Sequence, residues 1–180
     1  MRRHEIETWA YSIIERVRKR QPIEDDRVEL KSIWPVDPQK TARRIAGHAN
    51  AMHGEPILWL IGVNEKEGTI PGIDFAEFST WYGAIEAKFD EITPEIKSIN
   101  IVTDKVTVAA LYFETERAPF VVKSGINERE VPWRSGTRIR SAKRHELLKI
   151  LSPPQTPPAP NQNAALAHPH IPHPQAPQNL

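Results

Sequence analysis

The sequence predicts an α+β fold, a mixed and mainly antiparallel sheet with helices packed on it, followed by a disordered C-terminal tail. Three observations carry this expectation. Helical and strand-like periodicities are interspersed without a regular strand–helix repeat. Several short strand-like runs are separated by polar turns. The composition also breaks at residue 152: nine of the 17 prolines lie between Pro153 and Pro177, and Ser152 to Leu180 contains no Lys, Arg, Asp or Glu. The 180 residues thus divide into an N-terminal helix over 1–22, a domain over 23–151 and a proline-rich tail over 152–180. A body of that size can bury a core without covalent staples.

Each element follows from local pattern. Ile6, Trp9, Ile13 and Val17 recur at three- and four-residue spacing, which predicts a helix over Glu5–Lys19 that Gln21-Pro22 ends. The basic cluster Arg16 to Arg20 complements the dipole at its C-terminus. Arg27–Ile33 alternates as a half-exposed strand. Asp37-Pro38 is a helix start, a capping carboxylate followed by proline at the first position, where a missing N–H is harmless. The stripe Ala42, Ile45, Ala46, Ala49 and Met52 is small enough for close approach to a sheet, and Gly54 and Pro56 stop the helix. Ile57–Val63 is apolar throughout and predicts a central strand buried on both faces. A polar turn over Asn64–Gly68 comes next, then a helix over Phe78–Phe89 with Trp81, Tyr82, Ile85 and Phe89 inward. Ile99–Thr103 and Val106–Phe113 flank Asp104-Lys105 as a hairpin. Short strands near Phe120–Lys123 and Val131–Arg134 and a helix over Ala142–Leu151 complete the body.

Several function classes are excluded. Without cysteine there are no disulfides, thiolate metal sites or cysteine nucleophiles. No apolar run reaches the ~18–20 residues that cross a bilayer. The start meets acidic residues before any apolar block, unlike a signal peptide, so a soluble cytoplasmic protein with no membrane partner is expected. Phosphate-loop, HExxH, GxSxG and GxGxxG patterns do not occur. The tail carries four P-x-x-P spacings without an adjacent Lys or Arg, and His168, His170 and His173, which read as a solvated cluster; no partner for it follows.

The formal net charge of +1 conceals segregation. Residues 55–116 hold twelve acidic and four basic groups, whereas 117–151 hold nine basic and three acidic. If the basic ends meet, one face attracts a polyanion. Val131 to Arg144 is the most basic stretch, with Arg134, Arg138 and Arg140 at strand-like spacing that can set guanidiniums along one side. Arginine forks match phosphate oxygens and hydroxyls such as Thr137 add neutral donors. Trp133 reads as a core residue before it reads as a base-stacking one. Glu29 and Lys31, two apart, project from one strand face; a carboxylate pair from the acidic group Glu24, Asp25, Asp26 and Glu29 could hold a divalent cation against a phosphodiester, with Lys31 offsetting developing charge.

Together these positions resemble the Schlafen AlbA_2 domain, also labelled a divergent ATP-binding domain. The resemblance runs from about Ile23 to Leu151. It rests on Glu24-x-x-x-x-Glu29-Leu-Lys31, on Ile45-Ala-x-x-Ala-Asn50 with His53-Gly54, on Leu60-Ile-Gly-Val63 with Ile70-x-Gly72, and on Trp133-Arg134-x-Gly136-Thr137-x-x-x-x-Ala142. It implies nucleic-acid binding, DNA or RNA, through phosphate contacts from Lys31, Arg43, Arg134, Thr137, Arg138, Arg140, Lys143 and Arg144, with no cofactor required. Some Schlafen proteins are metal-dependent RNA endonucleases. That alternative implies Glu24, Glu29 and Lys31 as catalytic residues and Glu24, Glu29 and Asn64 as ligands of magnesium or manganese. Asn64 stands where the family has aspartate, which removes a negative charge from the site. ATP binding is a second alternative, with no phosphate loop behind it. A homo-oligomer is a further expectation, since small binding domains gain contacts by dimerising.

Overall fold

The computed structural model describes residues 1–126 and 128–152. The tail, apart from Ser152, lies outside the described residues, and with it the P-x-x-P spacings and the histidine cluster.

The chain forms α1 (Arg3–Arg18), β1 (Val28–Lys31), α2 (Pro38–Met52), β2 (Ile57–Ile61), a short 3-10 turn (Phe75–Glu77) and α3 (Phe78–Glu86). Then come β3 (Phe89–Asp90), β4 (Ile96–Thr103), β5 (Val106–Phe113), β6 (Val121–Lys123), β7 (Arg129–Glu130), β8 (Pro132–Ser135), β9 (Arg138–Ser141) and α4 (Arg144–Leu151). The main sheet has the order β1-β2-β5-β4; β1 and β2 are parallel and the other pairs antiparallel. β3-β6-β7 form a small antiparallel sheet and β8-β9 a hairpin. The fold is therefore α+β and mostly antiparallel. Among the described residues no helix is long and apolar enough to cross a membrane.

Alternation along the strands assigns the two faces of the main sheet. Leu58 and Leu60 of β2, Val28 of β1, Ile99 and Ile101 of β4 and Val108 and Ala110 of β5 pack with Ile6, Ala10, Ile13, Ile14 and Val17 of α1. The N-terminal helix is thus a layer of the domain, covering one sheet face. Ile57, Trp59 and Ile61 pack on the opposite face with Ala42, Ile45, Ala46 and Ala49 of α2. All five residues of β2 are buried, as the continuous apolar run predicts. Asp37 caps α2 by accepting from the Lys40 N–H at 2.9 Å.

Two glycines let the chain cross itself beyond β2. Gly62 has φ +98° and Gly72 φ +72°, and the Gly72 N–H donates to the Gly62 carbonyl at 3.1 Å. A Cβ on Gly62 would lie 2.9 Å from Gly72 Cα, and one on Gly72 would lie 2.7 Å from Val106 Cβ. Neither position accepts a side chain without displacing its neighbour.

The helix expected over Phe78–Phe89 ends at Glu86, and Phe89 instead opens β3, buried beside Ile85 in the α2-side core. The last helix begins at Arg144 rather than Ala142, because Ala142 still donates its N–H to Val131 O across the hairpin base at 2.8 Å.

Candidate functional site

α2 is packed between the sheet and the β8-β9 hairpin. The hairpin approaches α2 at Gly47, where an added Cβ would meet Ile139 at 3.1 Å and Pro132 at 3.4 Å. Asn50, fully buried, fastens the two. Its amide N–H groups donate to Phe120 O (2.9 Å) and Pro132 O (2.8 Å), and its carbonyl accepts from Phe120 N–H at 2.7 Å. Arg43 adds a clamp, donating twice to Glu130 at 2.8 Å and once to Ile139 O at 3.1 Å, while Ser141 donates to the same carboxylate. The Arg43 guanidinium holds the Glu130 carboxyl below its usual range.

Docked this way, the hairpin stands beside the edge strand β1, and a cleft of about 200 Å³ opens between β1, α2 and the hairpin. That is room for roughly six waters. Trp59 and His48, each 1% exposed, form its floor. Glu29 and Lys31 enter from β1, Arg44 from α2, and Arg134 and Thr137 from the hairpin. Arg44 and His48 are four apart and so lie on one side of α2. Glu29 accepts from Lys31 through one oxygen and pairs with Arg134 through the other at 3.2 Å. The three side chains are only 21%, 23% and 20% exposed. Lys31 also lies over the Trp59 ring, 5.9 Å from its centroid, and Arg134 Nε donates to Gly136 O at 3.0 Å. A second recess of about 470 Å³ shares Glu29, Lys31, Arg134 and Thr137 with the first and adds Asp25, Asp26 and Glu65.

His48 is neutral. Its Nδ1 accepts from Trp59 Nε1–H at 3.2 Å, so Nε2 carries the proton and donates to Asp26 O at 2.7 Å. Burial, and then the nearby Arg134 charge, lower its pKa to about 4. The cleft thus holds three cations, Lys31, Arg44 and Arg134, against one carboxylate. Lys31 and Arg134 are partly withdrawn from water while Arg44 is exposed, and this local surplus of positive charge favours an anion.

The structure sorts the residues expected to contact phosphate. Lys31, Arg134 and Thr137 meet in the cleft. Arg138, Lys143 and Arg144 are exposed and have no ion-pair partner among the described residues. Arg43 is taken up by Glu130. Arg140 is taken up by Glu146, donating to both its oxygens at 2.6 and 2.5 Å, and the Glu146 carboxyl, also accepting from Lys143 N–H, is lowered to about 2. The expectation that Arg134, Arg138 and Arg140 share one side is corrected by the hairpin register. Trp133 pairs with Arg140 and Ser135 with Arg138 on one face, whereas Arg134 pairs with Ile139 on the other, toward α2. Trp133 is 9% exposed, as expected of a core residue.

The metal set does not converge. Glu24 is exposed before β1 and lines neither recess. Asn64 Oδ1 accepts from Glu67 N–H at 3.2 Å and shapes the polar turn. Both oxygens of Glu29 are held by cations. Among the described residues no group of three or more His, Asp or Glu side chains could hold a metal ion. As placed, Glu24, Glu29 and Asn64 are not gathered into one such group. Arg44 and His48, which do line the cleft, were not singled out by sequence; the helical stripe leaves Arg43 and Arg44 equally flanking it, and their partners are set only by the fold.

No protein-family model matches the chain, and no curated protein matches it. Among solved structures the fold is similar to the DIP2311 protein from Corynebacterium diphtheriae, with a TM-score of 0.50 and 18% identity. The match covers 78% of this chain and 27% of that protein, so this chain spans about a quarter of that protein's length. The likeness is one of fold.

Proposed function

We propose that this protein is a nucleic-acid-binding module that grips phosphates in the cleft between β1, α2 and the hairpin. The observation that carries this reading is the convergence of Lys31, Arg44, Arg134 and the Thr137 hydroxyl over a buried floor, with one carboxylate among them. Arg138, on the opposite face of the hairpin, and Lys143 and Arg144 beyond it are exposed, and they add positive charge outside the cleft that a long phosphate backbone can reach. The resemblance to the Schlafen AlbA_2 domain supports the same reading, with Arg44 taking the role that sequence assigned to Arg43. Arg43 and Arg140 are clamps of the fold in this account and contribute by holding the hairpin in place.

Binding of this kind is electrostatic and weakens linearly in log K against log salt. Replacing Arg134 and Arg138 together with alanine is expected to weaken binding to DNA and RNA oligonucleotides of any sequence by roughly ten-fold or more at moderate salt. It should also flatten the salt slope by about one to two units. Fluorescence anisotropy over a salt series on a panel of single- and double-stranded oligonucleotides reads both. Isotherms and slopes unchanged from wild type would remove the cleft from the interface.

A further inference from the structure

We infer that Glu29 is a built-in competitor for the cleft: its carboxylate occupies the phosphate position between Lys31 and Arg134, and nucleic acid binds by displacing it. The inference rests on the phosphate reading above and adds how that site is regulated. Three observations carry it. First, the two oxygens of Glu29 bridge Lys31 Nζ and Arg134 Nη1, as two oxygens of a phosphate would, so the cleft already holds an anion in that place. Second, each cation has a further contact besides Glu29. Lys31 is held over the Trp59 ring and Arg134 by Gly136 O. Third, the arrangement is unbalanced: with Arg44 at the wall, three cations face one carboxylate, so a phosphate carrying more charge and more acceptor oxygens gains contacts that Glu29 alone does not satisfy.

The consequence is a threshold. An incoming anion exchanges with Glu29 rather than entering a vacant site, so weakly charged ligands are rejected and polyanions, which also engage Arg138, Lys143 and Arg144, succeed. The displaced carboxylate would turn toward the second, larger recess, which Glu29 also borders, and the Asp25, Asp26 and Glu65 charges there raise the cost of displacement and so the threshold. A role as metal ligand predicts the opposite behaviour, because a carboxylate holding a divalent cation would be needed for activity rather than opposed to binding.

The test compares wild type with Glu29→Gln, which keeps the shape and removes the charge, and with Glu29→Ala, which also removes the side chain. The probe is a fluorescein-labelled single-stranded 20-mer, titrated by anisotropy over a salt series, after thermal unfolding has shown both variants folded. Both variants are expected to bind about ten-fold tighter than wild type. Their salt slope should be steeper by about one unit, because two cations no longer carry an internal counter-ion. In the wild-type protein, saturating 20-mer should shift the carboxylate carbon resonance of Glu29. Wild-type binding with variants that bind equally or more weakly, or a Glu29 resonance that does not move, overturns this inference and leaves the phosphate reading standing. Absence of binding by wild type and variants alike overturns both. Manganese-dependent cleavage of RNA that vanishes in Glu29→Gln overturns the competitor role in favour of a metal ligand.

Discussion

Replacing Asn50 with alanine should destabilise the fold by about 4 kcal/mol, from three buried backbone groups losing their partner at about 1–3 kcal/mol each, less what relaxation recovers. The two carbonyls, of Phe120 and Pro132, and the Phe120 N–H take a side-chain partner from α2 through Asn50 alone. Urea unfolding measures the loss directly. Asn50→Asp separates hydrogen bonding from volume. At neutral pH its carboxylate can still accept from the Phe120 N–H but faces two carbonyl oxygens with nothing to donate, so it should be at least as damaging as alanine. Acidification should partly rescue it, since the protonated acid regains one donor. An Asn50→Ala protein of wild-type stability would mean that the hairpin is held on α2 by packing at Gly47 and the Arg43–Glu130 clamp alone.

His48 makes the second large prediction, one of pH. Its pKa, ordinarily 6.5, is about 4 in the folded protein because burial and the Arg134 charge oppose protonation. Unfolded chains therefore bind a proton that the folded protein refuses between those values, and stability falls as pH drops through that window. The loss integrates to about 3 kcal/mol by pH 4, and the contribution is fully present above pH 6.5. The carboxylates lowered by their partners, such as Glu146 and Glu130, lose stability only below their ordinary value of 4.5, so the interval from pH 6.5 to 5 isolates the histidine. Urea unfolding across that interval should show a decline in wild type that is absent in His48→Gln. Equal slopes in the two proteins would place the acid sensitivity elsewhere.

Much of the fold was legible because it depends on periodicity within one element. The Ala42–Ala49 stripe, the continuous apolar run of β2 and the two-residue spacing of Glu29 and Lys31 each set a face without reference to any distant residue. Partnership across the chain was not legible. Whether an arginine is available to a ligand depends on which carboxylate meets it, and Arg43 meets Glu130, 87 residues away. The strand-like spacing around Arg138 was visible. The reversal at Gly136, which turns Arg134 to the α2 side and Arg138 and Arg140 to the other, is a matter of register between two strands. Asn50 stood out as part of a motif, but its three bonds to Phe120 and Pro132 exist only once those segments are folded together. His48 carried no local signal at all, since its tautomer and its charge state follow from Trp59, Asp26 and Arg134.

If phosphate meets this protein in the cleft, the residues that line it must respond to nucleic acid. The most direct measurement is a two-dimensional amide NMR titration of the wild-type protein with a short oligonucleotide at low salt. The perturbed amides should cluster on Val28–Lys31, on α2 around Arg44 and His48, and on Trp133–Arg144. Those of α3 and of β4, on the acidic middle of the chain, should stay in place. Perturbations centred on α3 and β4, or none at all, would contradict it.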